Sequence, residues 1–151
     1  MRKDILVTVK AKQINEYGEE DSQDFFTTGT LFQKKGAFFI VYNESEVTGM
    51  AGTTTSLKVE PNRVTLNRMG SSEQKQVFEE GLKHRGNYIT PYGGLSVAVL
   101  PSRVEVNLTD TGGSIKLEYE LEVENQKISD NALIITVREA GNEKCSGKTE
   151  R

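Results

Sequence analysis

The chain has no tryptophan, a single cysteine (Cys145), a single histidine (His84) and only three prolines in 151 residues. One cysteine excludes an internal disulfide framework, and one cysteine with one histidine excludes nearly every Cys/His metal site. No window approaches the roughly 18 consecutive apolar residues that a membrane-spanning helix needs. Charge of one sign is also missing: 19 Lys and Arg stand against 22 Asp and Glu, a net charge of −3. Such a balance gives no overall attraction to a phosphate backbone or to anionic lipid. Alanine and leucine are scarce, 6 and 11 residues, beside 13 valines, 8 isoleucines and 14 threonines. β-Branched side chains lose little χ1 freedom on a pleated strand and more against a helical turn, so this bias points to β structure.

The length fits one domain. No repeat, proline-rich linker or low-complexity tract divides it, so 1–141 is expected to be a single domain. The polar stretch 142–151, without apolar period, is expected to be a mobile tail. The opening Ile5-Leu6-Val7-Thr8-Val9-Lys10 is broken by polar residues and does not read as a secretory signal. With the cysteine count, the expected location is cytoplasmic.

Alternation is clearest over 115–123, where Ile115, Leu117, Tyr119, Leu121 and Val123 take one face and Lys116, Glu118, Glu120 and Glu122 the other. A period of two over this length is a strand with one dry and one wet face. Thr111-Gly112-Gly113-Ser114 before it supplies hairpin-turn residues, which makes 102–108, with Val104, Val106 and Leu108 on one side, the preceding strand. The pattern recurs at Ile5, Val7, Val9 and Ala11, and at Phe26, Thr28, Thr30 and Phe32. It continues through 37–42, Thr55-Leu57-Val59, Val64-Leu66-Arg68, Leu95-Val97-Val99 and Leu133-Ile135-Val137. Short Gly- or Asn-containing turns between such strands predict an antiparallel meander, and hence a barrel or sandwich. Residues 71–82 are ambiguous. Ser71-Ser72-Glu73-Gln74 has the form of a helix capping box, while the neighbouring meander favours a strand.

The familiar chemical motifs fail on spacing or setting. Gly147-Lys148-Thr149 lacks the first glycine of a phosphate loop at the required position and has no following helix. Cys145 lies in the tail without a neighbourhood to lower its pKa. His84, within Lys83-His84-Arg85-Gly86, reads as part of a solvated turn, and no Gly-x-Ser-x-Gly elbow accompanies it. Glu118, Glu120, Glu122 and Glu124 read as a solvated outer ladder. Without interleaved basic and aromatic residues, nucleic acid is not an expected partner, and neither is a membrane. No catalytic residue, metal ligand or cofactor is assigned.

Two polar residues share parity with apolar ones: Arg68 with Val64 and Leu66, and Tyr119 with Leu117 and Leu121. A guanidinium facing inward needs a partner. It is either a protein carboxylate, with Glu79 one candidate, or the acid group of a ligand. In Tyr88-Ile89-Thr90-Pro91-Tyr92-Gly93 the proline holds Thr90 extended and Gly93-Gly94 permits a sharp turn. This places Tyr88 and Tyr92 near a barrel rim, to bond a bound molecule or to plug the end.

Arg68-Met69-Gly70, then Tyr88 to Gly93, then 115–123 and 131–137, preceded by Tyr42-Asn43-Glu44, Thr53-Thr54-Thr55 and Lys58-Val59-Glu60, resemble the YwiB-like bacterial family over about residues 3–139. The resemblance implies a closed, antiparallel up-and-down barrel of calycin or lipocalin type, with about eight to ten strands. It makes 74–83 a strand and brings no catalytic site with it. Many lipocalins close one end with a Trp under an Arg, and this chain has no Trp to do so. Two functions are then expected to compete. One is a non-enzymatic module holding a small, partly apolar ligand, acidic ones included, with Arg68, Tyr88, Thr90, Tyr92 and Tyr119 as contacts. The other is a filled barrel (Phe32, Phe38 and Phe78 inward) that acts through its surface or as a homodimer.

Overall fold

The computed structural model describes residues 2–44 and 52–140. Ten strands form within them: β1 Arg2–Asn15, β2 Glu20–Lys34, β3 Ala37–Asn43, β4 Thr53–Glu60, β5 Arg63–Gly70, β6 Glu73–Glu79, β7 His84–Thr90, β8 Gly93–Thr109, β9 Gly112–Val123 and β10 Gln126–Glu139. Each pairs antiparallel with its sequence neighbours, and β1 also pairs with β10, which closes the barrel. Closure removes both free sheet edges, which would otherwise template pairing with other chains. The tight hairpins that permit a meander follow from local chemistry. Glu124 and Asn125 both take positive φ, 52° and 70°, the backbone that matches a two-residue turn to the right-handed twist of its strands. At the β8–β9 turn a Cβ on Gly113 would stand 1.9 Å from the carbonyl oxygen of Asn107, so only glycine fits.

The alternating residues fill the interior. Ile5, Val7, Leu31, Ile40, Leu57, Val59, Val64, Ile115, Leu117, Ile135 and Val137 are each no more than 2% exposed. At roughly 25 cal/mol per Å² of apolar surface, burial of these aliphatic side chains is the main force that holds the barrel. Phe78 is buried among them and Phe38 packs against them.

One ambiguity is resolved and three expectations need correction. Residues 71–82 contain a strand and no helix: β6 turns Gln74, Gln76 and Phe78 inward, while Leu82 is exposed in the following turn. His84 is the first residue of β7 and no part of a solvated turn. Phe32 faces outward, stacked on Phe39 at 5.1 Å, with the Arg2 guanidinium 4.3 Å above its ring. That arrangement covers part of the ring on the outer wall. Finally, 95–99 and 102–108 are one strand. A bulge between Pro101 and Arg103 shifts the β8 register, so the inward set changes from Val97 and Val99 to Val104, Val106 and Leu108. The β6–β7 turn meets the backbone groups the bulge leaves free. Gly81 N–H donates to Pro101 O (2.9 Å) and Val104 N–H to Glu80 Oε1 (3.0 Å).

The glutamate ladder lies on the outer wall but is paired as well as solvated. Glu118 meets Arg103 at 3.0 Å and Glu122 meets Lys83 at 2.6 Å. The expected tail, 142–151, with Cys145 and Gly147-Lys148-Thr149, lies outside the described residues. No helix of the described residues is long and apolar enough to cross a membrane.

Candidate functional site

Strand register brings polar side chains from five strands into one row, which ends at Leu95 on a sixth. Tyr42 on β3 faces Thr55 on β4, Thr55 faces Arg68 on β5, and Arg68 faces Gln74 on β6. Gln74 then faces Tyr88 on β7, which faces Leu95 on β8. All lie on the parity that points into the barrel, so this part of the interior is polar where the rest is aliphatic.

Arg68 is the centre of the row. Its Nη1 donates to Gln74 Oε1 at 2.6 Å, and its Nε lies 3.6 Å from Glu44 Oε2. Glu44, one residue past the end of β3, has a side chain only 2% exposed, against 21% for Arg68. It also accepts a hydrogen bond from the Thr55 hydroxyl. The Glu79 suggested by sequence is not the partner; it sits 3.0 Å from His84 Nε2 instead. At 3.6 Å the Arg68–Glu44 contact is an ion pair but no hydrogen bond, and Arg68 Nε is left buried without an acceptor.

Two tyrosines on different walls feel this charge. Burial raises the Tyr42 hydroxyl well above its ordinary pKa, Glu44 raises it further, and Arg68 pulls it back. Tyr119, on β9, is also raised by burial, with its side-chain bond to Asn131 and the Arg68 charge opposing. Its ring lies edge-on to Phe78 at 4.9 Å. Both groups keep their protons in the fold when an unfolded chain would release them. Stability should therefore be full below pH about 10 and fall above it. The slope is about 1.4 kcal/mol per pH unit for each tyrosine still protonated only in the folded state. Urea unfolding between pH 9 and about 11.5 checks this: Tyr42→Phe should flatten the decline, and an unchanged slope would remove Tyr42 as its source.

The wall at β6–β7 is the weakest part of the sheet. Their ladder holds at Glu73–Ile89 and Gln74–Tyr88, with one isolated bridge from Glu79 to Leu82. Between these points side chains replace backbone pairing: Gln76 Nε2 donates to His84 O at 3.2 Å. Gly86 belongs here because a Cβ would lie 2.3 Å from Lys75 O. A groove of about 470 Å³ opens along this seam, lined by Arg68, Gln74, Lys75, His84, Arg85 and Asn87 among others. A second, of about 570 Å³ at the β8 bulge, reaches Tyr119 and Asn131.

Of the five residues singled out from sequence, Arg68 and Tyr88 share the register row, and Tyr119 is joined to it through the Arg68 charge. Thr90 and Tyr92 are not brought there. The Thr90 hydroxyl is occupied within the β7–β8 turn, donating to Gly93 O and accepting from Tyr92 N–H, and Tyr92 is 99% exposed. Sequence reasoning missed Tyr42, Glu44, Gln74, Gln76, Ser129 and Asn131. Gln74 and Gln76 share parity with Phe78, and Asn131 with Leu133, which was the available signal. Among the described residues no three His, Cys, Asp or Glu side chains converge as a metal site.

Comparison with known proteins agrees with this architecture. Residues 7–135 match the family model described as "Domain of unknown function (DUF1934)". The chain belongs to the DUF1934 family. Within it the chain is 23% identical over 128 residues to the uncharacterized beta-barrel protein YwiB of Bacillus subtilis (strain 168), covering 84% of this chain and 89% of that one. The crystal structure of the ywiB protein from Bacillus subtilis superposes with a TM-score of 0.84 at 22% identity, over 92% of this chain and 93% of that chain. The fold is thus shared with YwiB, and the YwiB-like resemblance read from the motifs is correct. At this identity the likeness carries no function.

Proposed function

We propose that the protein is a non-enzymatic binding barrel, which holds a small, partly apolar, hydrogen-bonding molecule at the polar end of its interior. The observation that supports this is a set of buried polar atoms with no hydrogen-bond partner among the described residues: Arg68 Nε, Ser129 Oγ and Asn131 Oδ1. Folded proteins satisfy nearly all buried polar groups, because a missing bond costs the full desolvation of the group. Here a donor, a hydroxyl and an acceptor stay unmet on inward faces of β5 and β10, and Asn131 faces Tyr119, whose ring lies against Phe78. A ligand that bonds these atoms and packs on those rings meets both needs.

Ser129→Ala separates this reading from a purely structural one. The substitution deletes an orphaned hydroxyl that is 1% exposed, so stability should stay level or rise by up to about 1 kcal/mol. Binding of the neutral fluorescent probe N-phenylnaphthylamine should weaken roughly tenfold, the worth of one hydrogen bond. Two results would end the proposal. One is wild-type protein that neither binds the probe nor shows extra mass in native mass spectrometry. The other is a Ser129→Ala variant that is destabilised while binding as before.

A further inference from the structure

The charges at the polar end define which ligands it can take, an inference that rests on the binding reading above. Arg68 is the group that would draw a carboxylate. Its counter-ion is already present: Glu44 lies 3.6 Å from its Nε, with a side chain 2% exposed. Glu44 is held from the other side by the Thr55 hydroxyl, and its own N–H donates to Thr53 O at 2.8 Å. The Thr55 and Tyr42 hydroxyls bond the carboxylate itself and the backbone bond fixes the chain that carries it, so the carboxylate is held beside Arg68.

An acidic ligand reaching Arg68 Nε would place a second negative charge within a few ångströms of Glu44. In an interior of effective dielectric about 20, two such charges at about 4 Å repel by far more than they would in water. A neutral acceptor meets no such opposition, and Arg68 Nε–H still needs one. The exposed Lys75, Arg85 and Glu73 border the seam groove, but salt screens charges of that kind and leaves a buried pair almost untouched.

We propose that this end of the barrel selects an uncharged ligand, an apolar body with a neutral hydrogen-bonding group, and that Glu44 rejects carboxylates and other anions by holding the Arg68 charge.

Two probes with one skeleton test this: N-phenylnaphthylamine, which is neutral, and anilinonaphthalene sulfonate, which adds an anionic group. Wild-type protein should bind the neutral probe at least about tenfold more tightly, and Glu44→Gln should shrink that gap by about tenfold or more. The preference in wild type should also survive high salt, a measurement that does not depend on the variant folding. Equal binding of the two probes by wild-type protein would overturn the proposal. So would a preference that disappears with added salt, or one that a folded Glu44→Gln variant keeps in full. If neither probe binds wild type and native mass spectrometry shows no extra mass, the binding reading fails as a whole; if both bind alike, only the selectivity does.

Discussion

Replacement of Arg68 by alanine should destabilise the protein by about 3–5 kcal/mol, measured by urea unfolding at neutral pH. The loss of the guanidinium's own contacts is the smaller part of this. The larger part is that Glu44 stays behind, with its side chain 2% exposed and its nearest positive charge removed, and an uncompensated buried charge is costly. The double variant Arg68→Met/Glu44→Gln should recover most of the loss. It removes both charges, and a well-packed neutral pair is often as stable as the ion pair it replaces. The Thr55 hydroxyl can still donate to the glutamine carbonyl oxygen. A cost below about 1 kcal/mol for Arg68→Ala would show that Glu44 is satisfied without it, and the charge-balance argument would fall with that result.

This reasoning also shows why the pair is a weak explanation of stability as such. Buried ion pairs tend to be replaceable, so a charged pair inside a barrel of Leu, Ile and Val calls for another account. A binding site supplies one. The same group that costs stability when its partner is deleted provides the direction and charge that an aliphatic interior lacks.

How far the site was legible depended on whether strand period alone decided each residue. Arg68 was found because β5 is regular from Val64 onward, so parity placed it beside Leu66. Tyr119 was found in the same way on β9. Glu44 was not: it continues the parity of Ile40 and Tyr42, but a carboxylate one residue beyond β3 carries no apolar signal, and hydrogen bonds to β4 hold it inward. Ser129 has the parity of Leu133 and Ile135, but it stands directly after the register shift at Lys127, and a small hydroxyl carries no apolar signal either. Likewise the β8 bulge made one strand read as two, because the inward face changes from odd to even across it. Phe32 misled for a different reason: hydrophobicity indicates a dry surface, and a stacked pair under a guanidinium provides one on the outer wall. Short turns predicted the antiparallel meander, as barrel or sandwich, and its closure was implied by the family resemblance. Which strands would pair weakly was not, since the β6–β7 seam depends on Gln76 and Gly86 in three dimensions.

Phe78→Ala should be the most informative single change in the core, with an expected cost of about 3–5 kcal/mol. Phe78 is 4% exposed and lies edge-on to Tyr119 at 4.9 Å, so the substitution removes both apolar burial and an aromatic contact. Its place on the inward face of β6, with Gln74 and Gln76, puts it on the boundary between the aliphatic core and the polar end. Deleting the ring leaves a cavity that the β5 side of the wall, where Phe78 pairs with Val64, holds open, while the sparsely paired β7 side leaves room for a probe to enter. The effect on binding should then have the opposite sign to the effect on stability. The enlarged, apolar space should admit N-phenylnaphthylamine more tightly than wild type does, and saturating probe should restore part of the lost stability by mass action. Urea unfolding with and without probe measures both. If the loss is large but the probe gives no added protection beyond wild type, the Phe78 cavity does not communicate with the polar end. The ligand site would then have to lie wholly between the Arg68 row and the β6–β7 seam.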